Sequence, residues 1–303
     1  MKGKVLRRGD TQFPWLNFVQ YPYRTREFDT GDGWMSYLDE GQGRPVVFVH
    51  GSPTWSYLWR HMIRVLAPYH RCIAPDLLGF GMSEKPQNID YRPEKQAERF
   101  ADLMSYLDLR DVTLVVHDHG GPIGLNWAVD YPGRVREIVL FNTWCWSLKN
   151  NRSAMRLARL VGNPLNRFYY RALNASPSFI MPALFADRHR ISRATQRQYL
   201  EPFRSYRERQ ALYSMIEGLR QGGAWFDSIL RRMDALEAKR FLLLWGTKDP
   251  IFGPDALARW KSELPNHETV EFPWVGRFVP EEAAKQAAEE IRWFMMRSPA
   301  FTA

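Results

Sequence analysis

The chain has 303 residues, of which 45% are hydrophobic and 14% aromatic, and its only cysteines are Cys72 and Cys145. This composition excludes an intrinsically disordered chain, a disulfide scaffold and a cysteine-based metal cluster. The amino-terminal stretch MKGKVLRRGD is basic, but no apolar run follows it, and the sequence has no stretch of about 18 apolar residues. We therefore expect a cytoplasmic protein without membrane association.

The net charge of +9 is concentrated in one segment. Residues 144–235 contain 16 Lys/Arg and 6 Asp/Glu, whereas the rest of the chain contains 26 and 27. A solvated, arginine-rich helical surface is the simpler interpretation, and steering of an anionic substrate or binding of an acidic partner is the alternative. No nucleic-acid-binding module accompanies the charge, so no nucleic-acid partner is expected.

Short apolar runs bounded by turns predict strands at residues 24–29, 34–39 and 45–50, and the third strand runs into the turn His50-Gly51-Ser52-Pro53. A glycine turn at the end of a buried strand brings N–H groups toward the space above the sheet, so the Ser52 N–H is a candidate oxyanion donor. His50 is interpreted as structural. The elements predicted next are a helix over 55–67, a strand over 71–75 and a helix over 93–107.

The stretch VTLVVHDHGGPIGL, residues 112–125, is the strongest local signal in the sequence. An apolar strand stops at Asp118, and a glycine-rich turn then leads into a helix. This is the pattern of a nucleophile elbow, which lifts one side chain clear of the sheet edge. Asp118 is the lifted residue, and the alternative is an ordinary aspartate that caps a helix.

Strand and helix signals alternate again at the end of the chain, with strands predicted at 135–141, 240–245 and 269–272 and a helix at 280–296. Between them, from Trp144 onward, the sequence is aromatic, basic, helical in pattern and interrupted by prolines. We therefore predict an α/β fold with a doubly wound, mainly parallel sheet. Its core domain comprises residues 1–143 and 236–303, and residues 144–235 form an inserted helical cap over the carboxyl ends of the strands.

Five motifs outside the predicted cap occur in an order known from one family: HGSPTWSYLWR (50–60), PDLLGFGMSEKP (75–86), VVHDHGGPIG (115–124), LLLWGTKDPIF (242–252) and PWVGRFVPEE (273–282). Together they resemble the haloalkane dehalogenase and epoxide hydrolase branch of the α/β-hydrolase superfamily. The resemblance implies an α/β-hydrolase fold, a small-molecule substrate, halogenated or an epoxide, and no cofactor or metal.

The resemblance also implies a two-step displacement. Asp118 matches the nucleophile, which attacks an sp³ carbon and forms an alkyl-enzyme ester. Asp249 matches the acid that orients a histidine, and that histidine activates water to hydrolyse the ester. The backbone N–H groups of Ser52 and His119 match the oxyanion hole.

The family's histidine is replaced in this sequence, because Arg277 follows Gly276 where histidine is normal. Arginine is not deprotonated in proteins, so Arg277 is unable to activate water, although it can pair with Asp118, Asp249 or both. General-base catalysis is typically worth about 10²–10⁴ in rate, so we expect an impaired hydrolytic step.

Two positions of the family's halide site also differ. His119 stands where tryptophan is usual, and Ser52 stands where asparagine is common; both can still donate a hydrogen bond. His119 and His117 are candidate substitute bases, but His119 faces the leaving-group side of the ester and His117 is interpreted as a packed strand residue.

Cap tyrosines that could assist epoxide opening, or simply pack, are Tyr169, Tyr170, Tyr206 and Tyr213. Aromatic residues that could line the pocket, or hold the cap together, are Trp144, Trp146, Phe179, Phe185 and Trp225.

The leading functional hypothesis is a haloalkane-dehalogenase-like hydrolase that acts on a small apolar electrophile through Asp118, with its second step impaired by Arg277. The alternatives are an epoxide hydrolase-like enzyme and a ligand-binding homologue without turnover, in which the fixed charge of Arg277 suits an anionic ligand. A serine hydrolase is disfavoured because the elbow carries aspartate. The sequence does not indicate an oligomeric state.

Overall fold

An eight-stranded sheet forms the centre of the computed structural model, which describes residues 13–297 apart from the side chain of Arg190. The strands lie in the order β1-β2-β4-β3-β5-β6-β7-β8; β2 is antiparallel to β1 and β4, and the remaining neighbours are parallel. Their bounds are β1 (Thr25–Asp29), β2 (Trp34–Glu40), β3 (Pro45–Val49), β4 (Arg71–Pro75), β5 (Val112–Asp118), β6 (Val135–Thr143), β7 (Arg240–Gly246) and β8 (His267–Phe272). The predicted α/β-hydrolase fold with a mainly parallel sheet is confirmed. The basic amino-terminal stretch and the outermost residues of the predicted core domain lie outside the described residues.

Helices cover both faces of this sheet and fill the segment between β6 and β7. Their bounds are α1 (Arg60–Leu66), α2 (Pro93–Leu107), α3 (Gly120–Asp130), α4 (Arg152–Gly162), α5 (Pro164–Ala172), α6 (Met181–Ala183), α7 (Arg193–Leu200), α8 (Gln210–Gln221), α9 (Gly223–Leu230), α10 (Pro254–Glu263), α11 (Val279–Glu282) and α12 (Ala284–Met296). A π-helical turn, Ser176–Ile180, precedes α6.

Alternating residues of the central strands pack into two hydrophobic layers. Leu114 and Val116 of β5 face the layer that contains α2 and α3, whereas Val115 faces the layer that contains α1 and α12. All seven residues of β5 are buried, as expected for the central strand of a parallel sheet covered on both faces. The carboxyl end of β5 is therefore held rigidly at the middle of the sheet edge.

Six predicted strands differ from the structure by one or two residues at one end, and two predicted helices are interrupted. The predicted helix 55–67 begins as a 3₁₀ turn, Ser56–Trp59, before α1. The predicted helix 280–296 is divided at Ala283, where the carboxylate of the preceding residue, Glu282, accepts the N–H groups of Gly276 and Ala186. Helix α10 was not predicted.

The segment between β6 and β7 is mainly helical and lies over the carboxyl ends of the strands, because residues of α4, of the π-helical turn and of α8 share a cavity with the end of β5. Most of its basic residues are exposed, and Arg171 is the buried exception among those whose side chains are described. Among residues 13–297, no helix is long and apolar enough to span a membrane, and no group of three or more His, Cys, Asp or Glu side chains could hold a metal ion.

Candidate active site

Asp118 occupies the turn between β5 and α3. Its φ of +51° is uncommon for a residue with a Cβ, and the Thr143 hydroxyl supports this backbone by donating to the Asp118 carbonyl at 2.6 Å. A side chain at Gly120 would overlap the Val49 carbonyl, so glycine is needed where α3 meets β3. Strained backbone of this kind persists when the surroundings fix it, and here it presents a carboxylate above the sheet.

The two oxygens of the Asp118 carboxylate have different partners. Oδ2 accepts the backbone N–H of Ser52 at 3.1 Å and lies 2.9 Å from His119 Nδ1. Among the described residues, Oδ1 accepts a hydrogen bond only from Arg277, whose Nη1 donates over a longer distance of 3.3 Å. A Cβ on Gly51 would lie 2.5 Å from Oδ2, so this approach of the β3 turn to the carboxylate requires glycine. Oδ1 is thus the less constrained oxygen.

Arg277 bridges Asp118 and Asp249. Its Nε and Nη2 donate to the two Asp249 oxygens, each at 3.0 Å, which is the bidentate geometry that guanidinium favours. Asp249 also accepts from the Ile251 N–H at 2.9 Å and from Asn142 Nδ2 at 3.3 Å. Arg277 therefore pairs with Asp118 and Asp249 at the same time, which is one of the pairings that the sequence allowed.

Burial and charge together determine the ionisation of this cluster. Burial raises the pKa of Asp118, but the neighbouring His119 and then Arg277 outweigh it, so the pKa lies well below its usual range. Burial lowers the pKa of Arg277, and Asp249 and Asp118 more than offset that effect. Asp118 is therefore an ionised carboxylate at neutral pH, and Arg277 is a permanent cation.

The two histidines near Asp118 make different contacts. His119 Nδ1 faces Asp118, its Nε2 lies 3.0 Å from the Met215 carbonyl oxygen, and its ring contacts Trp144 edge-on at 4.9 Å. Because both ring nitrogens face acceptors, neither is free to take a proton from water. His117 Nε2 donates to the Arg277 carbonyl at 3.0 Å, and burial lowers the pKa of His117 to about 4. His117 does not line the cavity at Asp118, so it fits the structural interpretation.

A narrow, mostly apolar cavity lies above Asp118. Its free space is about 30 Å³ for the centre of a water-sized sphere, which is room for about two water molecules. A larger substrate requires the lining side chains to move. The lining residues are Ser52, Pro53, Asp118, His119, Trp144, Leu157, Ser176, Ile180, Leu184, Ile216, Leu219, Ile251, Phe252 and Arg277.

Comparison with known proteins agrees with this geometry. Residues 44–284 match the family described as the alpha/beta hydrolase fold. The chain is 33% identical to haloalkane dehalogenase 2 of Mycobacterium tuberculosis over 273 residues, which are 89% of this chain and 94% of that protein. The chain belongs to the haloalkane dehalogenase-like branch of the α/β-hydrolase superfamily.

Two further proteins similar to this chain carry names with different activities. The crystal structure of the haloalkane dehalogenase DatA from Agrobacterium tumefaciens has a TM-score of 0.81 and 27% identity, covering 91% of this chain and 97% of that one. A protein named cis-3-alkyl-4-alkyloxetan-2-one decarboxylase, from Xanthomonas campestris, is 29% identical over 303 residues, with 94% of this chain and 100% of that protein covered.

In this dehalogenase-like hydrolase, the structure brings together all five residues that the sequence singled out for the site: Ser52, Asp118, His119, Asp249 and Arg277. It does not bring the cap tyrosines there. Tyr169 and Tyr206 are exposed, Tyr170 donates to the Leu212 carbonyl, and the ring of Tyr213 lies under Arg167.

Trp144, which the sequence indicated only as a possible lining residue, lines the cavity. Its indole stacks on Phe252 at 4.5 Å, and its buried Nε1 has no hydrogen-bond partner among the described residues. The Ser52 hydroxyl is the other such group lining this cavity. Asn142, at the end of β6, was not singled out by the sequence because no motif marks it.

Proposed function

We propose that this protein is a haloalkane-dehalogenase-like hydrolase in which Asp118 attacks the carbon of an alkyl halide and forms an alkyl-enzyme ester. The observation that carries the proposal is an ionised carboxylate, buried at the elbow of an apolar cavity, with one oxygen held by two donors and the other less constrained. Residues 144–235 act as a cap domain that selects apolar substrates.

The first half-reaction needs only groups already present. Asp118 Oδ1 forms a bond to carbon as the carbon–halogen bond breaks, and the electron pair leaves with the halide. Oδ2 becomes the ester carbonyl oxygen and keeps the Ser52 N–H as a donor. The unpartnered donors of Ser52 and Trp144 are suited to receive the departing anion. The Arg277 contact to Oδ1 stabilises the resting carboxylate and slows the attack.

The second half-reaction requires a base that deprotonates water, and the cluster does not supply one. Arg277 occupies the family's histidine position and remains protonated, and both nitrogens of His119 face other acceptors. The expected outcome is an ester that forms once per enzyme molecule and is hydrolysed slowly.

Intact-protein mass spectrometry after incubation with a panel of bromoalkanes and epoxides tests this proposal. A stable adduct of one alkyl group with bromoalkanes supports it, and Asp118→Asn is the matched control that must remain unmodified. An adduct with epoxides alone favours the epoxide hydrolase-like alternative. Reversible binding without any adduct favours the ligand-binding alternative.

A second candidate function, decarboxylation of a cis-3,4-dialkyl-oxetan-2-one, is favoured by the same lack of a base. Attack of Asp118 on C4 breaks the ring C4–O bond and frees a carboxylate on C3. Loss of carbon dioxide then moves the C2–C3 electron pair into a C3–C4 double bond and expels the Asp118 carboxylate. The products are an alkene and carbon dioxide, and no water or proton transfer is involved. The oxetanone decarboxylase relative makes this substrate class the natural choice.

Incubation with such an oxetanone, followed by gas chromatography for the alkene, tests the second candidate. Alkene formed over many turnovers by the unmodified protein, but not by Asp118→Asn, supports it. A 3-hydroxy acid as the product, or equal alkene from both proteins, contradicts it.

A further inference from the structure

Helix α5 exposes its apolar side. Leu165, Phe168, Tyr169 and Leu173 lie on one face at helical spacing, and each is more than half exposed. Arg171, on a different face, is only 8% exposed and stacks on Tyr206 at 4.0 Å. A surface helix normally has the opposite arrangement, so the outward apolar face calls for an explanation.

The neighbouring elements enlarge this face. Leu160 at the end of α4 is 59% exposed, and Phe179 in the π-helical turn is 61% exposed. We call these six residues the lid patch: Leu160, Leu165, Phe168, Tyr169, Leu173 and Phe179. A cluster of large exposed apolar side chains on one small region is typical of an interaction surface rather than of a solvated one.

The charge around the lid patch has one sign. Residues 138–186 contain six basic side chains and no aspartate or glutamate. Five of the six are exposed and form no ion pair within the described part of the chain: Lys149, Arg152, Arg156, Arg159 and Arg167. Apolar and aromatic side chains flanked by arginines are the composition of segments that lie in the interface of an anionic bilayer.

Two members of the lid patch, Leu160 and Phe179, lie on elements of the wall that encloses the active-site cavity. Leu157, one turn before Leu160, and Ile180, next to Phe179, line the cavity from within. Because that cavity has room for about two water molecules, a larger substrate enters only when this wall moves. The wall thus connects the exposed apolar surface directly with Asp118.

We propose that the lid patch docks this protein on an anionic lipid surface, with α5 lying in the interface and the surrounding arginines on the lipid headgroups. The docking is peripheral, so it is compatible with the lack of a membrane-spanning helix in the described residues. It differs from the expectation from sequence of no membrane association, which considered only segments able to span a bilayer. It places the cavity wall where apolar molecules dissolved in the bilayer reach it.

Co-sedimentation of the full chain with vesicles tests the proposal. Vesicles of phosphatidylcholine alone are compared with vesicles of phosphatidylcholine and phosphatidylglycerol, and no substrate is added, so the result is independent of any catalytic activity. The unmodified protein binds the anionic vesicles, and binding weakens as salt is added. Absence of binding to the anionic vesicles overturns the proposal.

Surface variants locate the binding face. Phe168→Ser with Leu173→Ser lowers the partition coefficient about tenfold or more, whereas Trp293→Ser, which removes a 56% exposed side chain on α12, leaves it unchanged. Arg156→Gln with Arg159→Gln lowers it about 25-fold, at about fivefold for each arginine, and Arg110→Gln is the matched control. All these side chains are exposed, so thermal unfolding temperatures stay close to that of the unmodified protein.

Two results contradict the assignment even when the protein binds vesicles or associates. Unchanged binding by the Phe168 and Leu173 variant shows that another face docks. A dimer in sedimentation velocity that this variant dissociates, together with no vesicle binding, shows that a second copy of the chain covers the lid patch instead.

Discussion

Replacement of Arg277 by histidine is expected to restore hydrolysis of the ester. The backbone at residue 277 is fixed by two hydrogen bonds, its N–H to the Leu184 carbonyl at 2.9 Å and its carbonyl from His117 Nε2 at 3.0 Å. Imidazole Nδ1 is one bond closer to Cα than the arginine Nε that now reaches Asp249, a difference of about 1.5 Å. A histidine at this position therefore approaches Asp249 but needs a small shift to bond it well.

The expected gain combines two opposing effects. A positioned general base contributes about 10²–10⁴ in rate, and a misplacement of about 1 Å can cost about 10². The two effects together leave a gain of about 1–100, and we expect steady-state halide release by Arg277→His to rise about 10-fold, near the middle of that range. Loss of the bidentate pair with Asp249 destabilises the fold by about 3 kcal/mol, which lowers Tm by about 6 °C.

The assay measures halide released per enzyme molecule over time from a bromoalkane. Arg277→Gln is the matched control, because it also breaks the bidentate pair but supplies no base, and it should stop after one equivalent. If the Arg277 protein already releases many equivalents and Arg277→His gives no faster release, another group acts as the base and the reasoning about position 277 is refuted.

The remaining predictions concern the leaving group and the pH dependence of stability. Trp144→Phe keeps an aromatic ring but removes an unpartnered buried N–H, so alkylation by a chloroalkane slows about 10-fold or more. The control, Trp59→Phe, removes another unpartnered buried indole N–H outside the cavity and leaves the alkylation rate unchanged. Equal alkylation rates for both variants and the unmodified protein would disprove the role of Trp144. Burial lowers the pKa values of His50 and His117 to about 4, whereas the pKa of histidine in the unfolded chain is about 6.5. The contribution of each buried neutral histidine to the free energy of unfolding is complete above a pH of about 6.5. About 3 kcal/mol per histidine is lost as the pH falls toward 4. Burial raises the pKa of Asp76 to about 6, and this opposes the trend by stabilising the fold as the pH falls below 6. Urea titrations should give a lower free energy of unfolding at pH 4.5 than at pH 7. Equal free energies at the two pH values would contradict the prediction that the two histidines outweigh Asp76.

Local patterns in the sequence were sufficient to predict the sheet and the positions of the site residues along it. The run before Asp118 is apolar throughout and breaks at glycines, so both the strand and the turn were predictable. The same holds for Asp249 and Arg277, because each follows a recognisable motif after a strand. Helix α10 was not predicted because it begins at Pro254, directly after a loop that was interpreted as part of the family motif.

Contacts between distant residues were not predictable in the same way. The pairing of both His119 nitrogens depends on the Met215 carbonyl, 96 residues away in sequence. The stack of Trp144 on Phe252 and the lack of a partner for its Nε1 among the described residues depend on segments far apart in sequence, which no local pattern reveals. The outward apolar face of α5 contradicts the usual assumption that the apolar side of a helix faces the core, and the sequence pattern indicated a helical segment without predicting this helix or its orientation.

The most direct test of the account compares halide release with the site of alkylation in one sample. The protein is incubated with excess 1-bromoalkane, the released bromide is counted per enzyme molecule, and the alkyl group is located by mass spectrometry of proteolytic peptides. We expect about one bromide per enzyme molecule in the first phase and one alkyl group on the peptide that contains Asp118. Bromide release without alkylated Asp118, or an alkyl group only on another residue, would contradict it.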